Sequence, residues 1–176
     1  MSEFRREGDK YSFELKIDES HILINLVEQL LELLGEGDFL HHYSSDDPFA
    51  QLMAMPTEIS QPEDPVLRRL LPNAYADPEA ADDFRRYTEP ALRKSKQDSL
   101  RRVREELGVL VDVEATGTID SIEPSIWLKV LNDLRLALSV RLSIEADAYE
   151  KFETMPEEDP QKAIFAVYFW LGALQE

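Results

Sequence analysis

PSIWLKVLNDLRLALSVRLS, running from Pro124 to Ser143, decides the fold of this chain. Ile126, Trp127, Leu128, Val130, Leu131, Leu134, Leu136, Ala137, Leu138, Val140 and Leu142 leave almost no side of a 3.6-residue period without an apolar group. Such a stretch predicts a helix covered by other elements rather than one lying on a surface. Asn132, Asp133 and Arg135 interrupt it, and polar groups in a covered helix cost free energy unless hydrogen-bonded or paired. They read as a structural polar core, struts rather than a site. Lys129 and Asp133 stand four residues apart and can pair. Arg135 needs an acid from another element, with Glu28, Glu32 and Glu176 as candidates.

Two other apolar helices are the natural partners. AIFAVYFWLGAL, Ala163 to Leu174, is apolar all round and too short at 12 residues to span a bilayer. It lies within a helix placed at 161–175. Ile22, Leu23, Leu26, Val27, Leu30, Leu31, Leu33 and Leu34 make a wide face on a helix over 19–34, capped by Asp18 or Ser20 and ended by Gly35 and Gly37. The three are expected to form a helical core. Upstream, Phe13, Leu15 and Ile17 alternate with Ser12, Glu14 and Lys16, a strand period, and Gly8 in the preceding turn makes 3–17 a hairpin. Val109 to Val113 and Gly117 to Ile122 offer one or two further short strands. Asp-Pro steps open helices at 65–71 and 78–107, the latter broken near Pro90 by its missing donor and its clash with the preceding turn. A short helix is placed at 48–54. The stretch SIEADAYEKFETMPEEDPQ reads as an acidic connection. The fold class is mainly α (α+β): five to six helices with a small antiparallel sheet, in one domain over 1–176.

Composition narrows the function. An apolar share of 43% and a charged share of 31% are globular values. No apolar run reaches 18 residues and the first residues carry no apolar leader, so a cytoplasmic protein is expected, with no membrane partner. No cysteine is present, which excludes disulfides, thiolate metal sites and a thiol switch within these 176 residues. The net charge of −17 argues against direct contact with nucleic acid. Between Arg85 and Arg104, however, eight basic residues stand against only Glu89 and Asp98. That segment is +6 and leaves the rest of the chain at −23. Either this helix folds back on the acidic body, or it presents a docking surface to an acidic partner.

His41, His42, Asp46 and Asp47 form the most metal-like cluster. Adjacent histidines point different ways, though, and no His-x-x-x-His spacing occurs, so a solvated loop without a metal or cofactor is expected. The chain has no Gly-rich phosphate loop, no nucleophile elbow and few nucleophile–base pairs, so an enzyme is not expected. The residues that stand out for binding are Arg68 and Arg69, a paired arginine on a short helix suited to clamping carboxylates. Arg93, Lys94, Arg101 and Arg102 of the basic stretch join them as partner-binding residues. The alternatives are a small-molecule or metal-dependent activity at the His41/His42/Asp46/Asp47 cluster, and a homodimer or larger scaffold joined through an apolar patch of the last helix.

Four segments carry a resemblance: DPVLRRLLP (Asp64 to Pro72), the Glu-Pro-Ala step at Glu89 to Ala91, LNDLRLAL (Leu131 to Leu138) and VYFWLGALQE (Val167 to Glu176). In order and spacing they resemble an actinobacterial family of uncharacterised domains that includes an actinomycete oxidative-stress regulator (AosR-like). The resemblance covers nearly the whole chain. It implies a cytosolic, protein-binding regulator that is transcription-associated, with a sigma factor or RNA polymerase as partner. The family's described regulator is understood to contact a stress sigma factor and so alter transcription of a cysteine-biosynthesis operon. Family genes often lie beside those for a Clp-system proteolytic adaptor and cysteine-biosynthesis enzymes. The redox response there is attributed to a cysteine pair, which this chain lacks.

Overall fold

The structure, a computed structural model, describes residues 3–35, 61–110 and 115–176. The expected helix at 48–54 and the cluster His41, His42, Asp46 and Asp47 lie outside them. The first strands, β1 (Glu3–Glu7) and β2 (Lys10–Lys16), pair antiparallel as the alternation predicts. Gly8 turns the chain between them at φ 65°, a conformation that suits glycine. A third strand, β3 (Thr116–Asp120), pairs on the other side of β2 to give the order β1-β2-β3. Residues 108–110 form a 3-10 turn, not the strand expected from Val109 onward. The chain there continues directly out of a helix, and Val109 is left exposed.

Helix α1 (Ile17–Leu33) starts straight from β2, earlier than an Asp18 or Ser20 cap would place it. The Lys16 N–H donates to the Glu19 carboxylate at 3.1 Å, and the Ile17 N–H donates to the Ala115 carbonyl at 2.9 Å. The backbone donors of the N-cap residue and of the first helical residue are thus satisfied without an Asx or Ser cap. Gly35, at φ 73°, closes the helix. Helices α2 (Pro65–Leu70) and α3 (Pro78–Leu107) begin as expected. The Asp64 carboxylate accepts from the Val66 and Leu67 N–H groups, that of Asp77 from Ala80 N–H, and a proline takes the first turn of each.

The break expected near Pro90 is absent: α3 runs unbroken for 30 residues with Pro90 inside it. Glu89 is hydrogen-bonded to Arg85 one turn before and to Arg93 one turn after. These bonds tie together the turns on either side of the proline and offset the one it removes. The buried stripe of α3 is accordingly Ala81, Arg85, Glu89, Arg93, Gln97, Leu100, Val103 and Leu107. It is partly polar, and the apolar Ala91 and Leu92 of the same helix are exposed.

Helix α4 (Pro124–Arg141) is the hub, touching α1, α2, α3 and α6 (Pro160–Ala173). The expected three-helix core gains a member: α1, α4 and α6 share one cluster of buried residues, and α3 packs on both α1 and α4. Helix α4 is not covered on all sides. Leu128 is exposed, and Leu136, Leu138 and Val140 are only half-buried. Trp127 is its largest buried anchor, edge-on to Phe13 with ring centres 5.0 Å apart, and Phe13 stacks on Phe4 across the hairpin at 3.9 Å. The indole N–H donates to Glu106 of α3 at 2.7 Å. One further helix, α5 (Ala148–Thr154), lies in the stretch expected to be an acidic connection. Its Ala148, with Leu142, Met155 and Phe165, makes a small apolar cluster apart from the main core.

The polar residues of α4 part company. Asp133 is buried and accepts both its hydrogen bonds from Lys96 of α3, at 2.7 and 2.9 Å, instead of pairing with Lys129. Lys129 is exposed, and Lys96 reaches Asp133 from a helix packed alongside. Arg135 finds no acid among the described residues: it donates to the Gln175 side-chain oxygen at 3.1 Å and lies over the Tyr168 ring at 5.2 Å. Gly172 makes room for it, since a Cβ there would stand 3.1 Å from its guanidinium carbon. Asn132 is exposed and is no part of the polar core.

Candidate functional site

The paired arginine sits on a short platform held from several directions. Val66, Leu70 and Leu71 are buried, which turns Arg68 and Arg69 outward, and both are exposed. Arg68 donates back to the Glu63 carbonyl at 3.1 Å, whereas Arg69 makes no ion pair among the described residues. Arg141 of α4 pairs with the capping carboxylate of Asp64 at 2.8 Å. At the other end Arg85 donates to the Leu71 carbonyl at 3.2 Å and to Asn73. A short helix fixed at both ends presents its outer side chains in one orientation.

Burial works against ionisation of Asp64, but the Arg141 hydrogen bond, the Val66 and Leu67 N–H groups and the charge of Arg141 outweigh it. Its pKa is lowered. The sign follows: a depressed folded-state pKa gives stability that is present above the unfolded value of about 3.9 and lost as pH falls through the folded one. Asp64→Ala is expected to cost about 1 kcal/mol at neutral pH, the worth of a cap. The gap between mutant and parent should shrink below about pH 4, where the carboxylate protonates. Urea titrations at pH 7 and pH 3 check both; an unchanged gap at pH 3 would speak against the ion-paired cap.

The basic stretch of α3 divides into buried and exposed members. Arg93, expected on a docking face, is buried at 7% exposure, as are Arg85 and Glu89 at 4% each. Arg93 donates to Glu89 at 2.6 Å and to the Leu34 carbonyl at 3.2 Å, and Gln97 donates to the Leu34 and Gly35 carbonyls at 3.0 and 3.2 Å. Arg85 and Arg93 thus cap the C-terminal ends of α2 and α1 from a shared carboxylate. Helix C-terminal ends carry partial negative charge, which the two guanidiniums complement. The ladder serves the fold.

Of the remaining expected partner-binding residues, Lys94 pairs with Asp98 at 2.6 Å, Arg101 with Asp98 at 3.2 Å and Arg102 with Glu106 at 2.7 Å. The Lys94 hydrogen bond is the main reason the Asp98 carboxyl lies below its ordinary range, with partial desolvation opposing it and Arg101 adding to it. Arg104 reaches Glu28 of α1 at 3.6 Å. Most of the basic helix's charge is therefore matched by acids of α3 itself, while Lys96 and Arg104 reach Asp133 and Glu28 on other helices. Lys94 and Arg102 remain solvent-facing, and Arg101 is half-buried. Platform α2 docks at the Arg85 turn, about 24 Å along the helix from Arg101 at 1.5 Å per residue. Arg68 and Arg69 and the exposed end of the basic helix are separate places on the surface.

Among the described residues no group of three or more His, Cys, Asp or Glu side chains is arranged to hold a metal, and no helix is long and apolar enough to cross a membrane. The spacing 85-89-93-97 was the available signal for the buried ladder, an i, i+4 series of hydrogen-bonding side chains. What periodicity did not mark is an open apolar groove between α1 and α6, with Leu138 of α4 at its floor.

A family model described as a domain of unknown function (DUF2017) matches residues 1–176. A Mycobacterium tuberculosis (strain H37Rv) protein named oxidative stress regulator AosR is 31% identical over 97% of this chain and 81% of its own length. A Mycobacterium bovis protein of the same name gives the same figures. A Mycobacterium leprae relative is 32% identical over 96% of this chain and 81% of its own. No solved structure matches the chain.

Proposed function

The chain belongs to the DUF2017 family, and on that footing we propose that it is a cytoplasmic regulator of the stress response that works by binding a protein partner in the transcription machinery, a sigma factor or RNA polymerase itself. One observation carries this reading: relatives named as oxidative stress regulators align with it over 97% of its length. The protein catalyses no reaction and does not touch nucleic acid directly. A net charge of −17 supports the second statement, because that field repels phosphate. The signal reaches it by a route other than a thiol switch in these residues, since it has no cysteine.

Arg68 and Arg69 are the contact residues this reading favours. They are exposed on a fixed platform, and Arg69 has no ion pair among the described residues. A carboxylate on the partner would meet a guanidinium already oriented for it. Affinity capture of the tagged full chain from its own cells, with and without peroxide, tests the proposal by mass spectrometry. A sigma factor or RNA polymerase subunit is expected among the captured proteins, and recovery of neither under both conditions would sink it. Reversing both charges, Arg68→Glu with Arg69→Glu, is expected to weaken the captured complex roughly tenfold or more by placing like charges opposite the partner's acids. Unchanged affinity clears the pair of this role.

A further inference from the structure

The groove between α1 and α6 is where the surface of the protein is least finished. It measures about 450 Å³ and is walled by Ile22 and Leu26 on α1 and by Ile164 and Val167 on α6, over Leu138. Ile22 is 37% exposed and Ile164 44%. A second trough of about 390 Å³, between α1 and α4 and closed by Val66 of α2, shares Leu26 and Leu138 with it and continues along α1 as far as Leu33. From Ile22 to Leu33 the channel follows α1 for about 16 Å, or three helical turns. That length and aliphatic lining match a helix laid in with anchors at i, i+3 or i+4, and i+7.

Charge decides what kind of helix. His21 and Asn25 are the polar members of the upper groove's lining, and no carboxylate, lysine or arginine lines it. In the lower trough the Arg141 guanidinium is already engaged by Asp64, while Glu32 carries no salt bridge among the described residues. The uncompensated charge around an apolar channel is thus negative, on a chain of net −17. A second copy would bring more negative charge to it; a helix with Lys or Arg along its flanks would be drawn in. We propose that this channel is the docking site for a basic amphipathic helix of a partner protein, an inference that rests on the protein-binding reading above and gives it a second contact surface.

The test uses the full chain and a synthetic 14-residue Leu/Lys peptide with leucines at helical a/d spacing. A scrambled peptide of the same composition and a Leu/Glu counterpart serve as controls, all titrated by calorimetry. The amphipathic Leu/Lys peptide is expected to bind, and the scrambled and acidic peptides to bind at least tenfold more weakly. Ile22→Gln and Ile164→Gln leave the charge unchanged and alter exposed positions, and melting curves verify their folding. Each is expected to weaken the Leu/Lys peptide roughly tenfold, as losing the burial of most of one aliphatic side chain would. Equal binding of the scrambled peptide, or unchanged binding by both glutamine variants, overturns the proposal. So does a dimer in sedimentation velocity that the double variant dissociates, because the occupant is then a second copy. Arg68→Glu/Arg69→Glu should keep the peptide. If it does while no transcription component is captured from cells, the transcription reading fails and the groove stands.

Discussion

Replacing Glu89 by alanine is expected to destabilise the protein by about 3–5 kcal/mol, the cost of breaking a buried ion pair from one side. For a chain of this size that lowers the melting temperature by roughly 6–20 °C. Glu89 is 4% exposed and lies between Arg85 and Arg93, themselves 4% and 7% exposed. Without its carboxylate two guanidiniums face each other one turn either side of a proline, with no water to screen them. The same guanidiniums hold the last carbonyls of α2 and α1, so the loss would spread to the platform that presents Arg68 and Arg69. Glu89→Gln should cost nearly as much, because an amide restores an acceptor but not the charge. The solvent-facing pair of Lys94 and Asp98 is the control, and Lys94→Ala should leave the melting temperature almost where it was. Thermal unfolding followed by circular dichroism measures all three. A shift below about 2 °C for Glu89→Ala would mean that water reaches and screens the ladder.

That ladder also shows which parts of this protein can be read along the chain and which cannot. Helix starts are legible because their causes are local. An aspartate accepting from the first turn, followed by a proline whose φ is already helical, marks α2 at Asp64-Pro65 and α3 at Asp77-Pro78. The same step marks α6 at Asp159-Pro160. The strand period of Phe13 and Leu15 is legible for the same reason, as is the exposure of Arg68 and Arg69 opposite Val66, Leu70 and Leu71. The continuity of α3 is not, because local chemistry at Pro90 argues for a break and only paired side chains on the adjoining turns reverse it. Arg93 illustrates the cost for the candidate site. In a basic run it reads as surface, yet its neighbour in space is the Leu34 carbonyl, 59 residues earlier in the chain. Asp133 likewise passes over the local partner Lys129 for Lys96, 37 residues away. Arg135 settles on an amide and an aromatic ring, which no charge pattern would select. The groove at Ile22 and Ile164 is invisible for a related reason: an apolar helix face looks the same in sequence whether or not another element covers it.

Trp127→Ala is the second change with a large expected effect, about 3–5 kcal/mol in urea unfolding monitored by circular dichroism. The indole is 1% exposed and joins three parts of the fold at one point. Its ring meets Phe13 and, at 6.1 Å, Phe4, so it carries the sheet on α4 through edge-on contacts worth roughly 0.5–1.5 kcal/mol each beyond area burial. Its N–H reaches Glu106, whose carboxylate also pairs with Arg102, which ties α4 to the last turn of α3. The two contributions separate experimentally. Trp127→Phe keeps an aromatic ring against Phe13 but leaves a largely buried Glu106 oxygen without its indole donor, and should cost about 1–2 kcal/mol. Alanine removes the ring as well and opens a cavity under a three-stranded sheet that has no other aromatic contact to α4 among the described residues. Alanine should therefore exceed phenylalanine by at least about 1.5 kcal/mol, the lower bound for burying a large apolar side chain. Equal losses for the two variants would place the worth of Trp127 in its hydrogen bond. The sheet would then be held by the aliphatic contacts of Leu15 and Ile119, and α4 would be the hub of the helices alone.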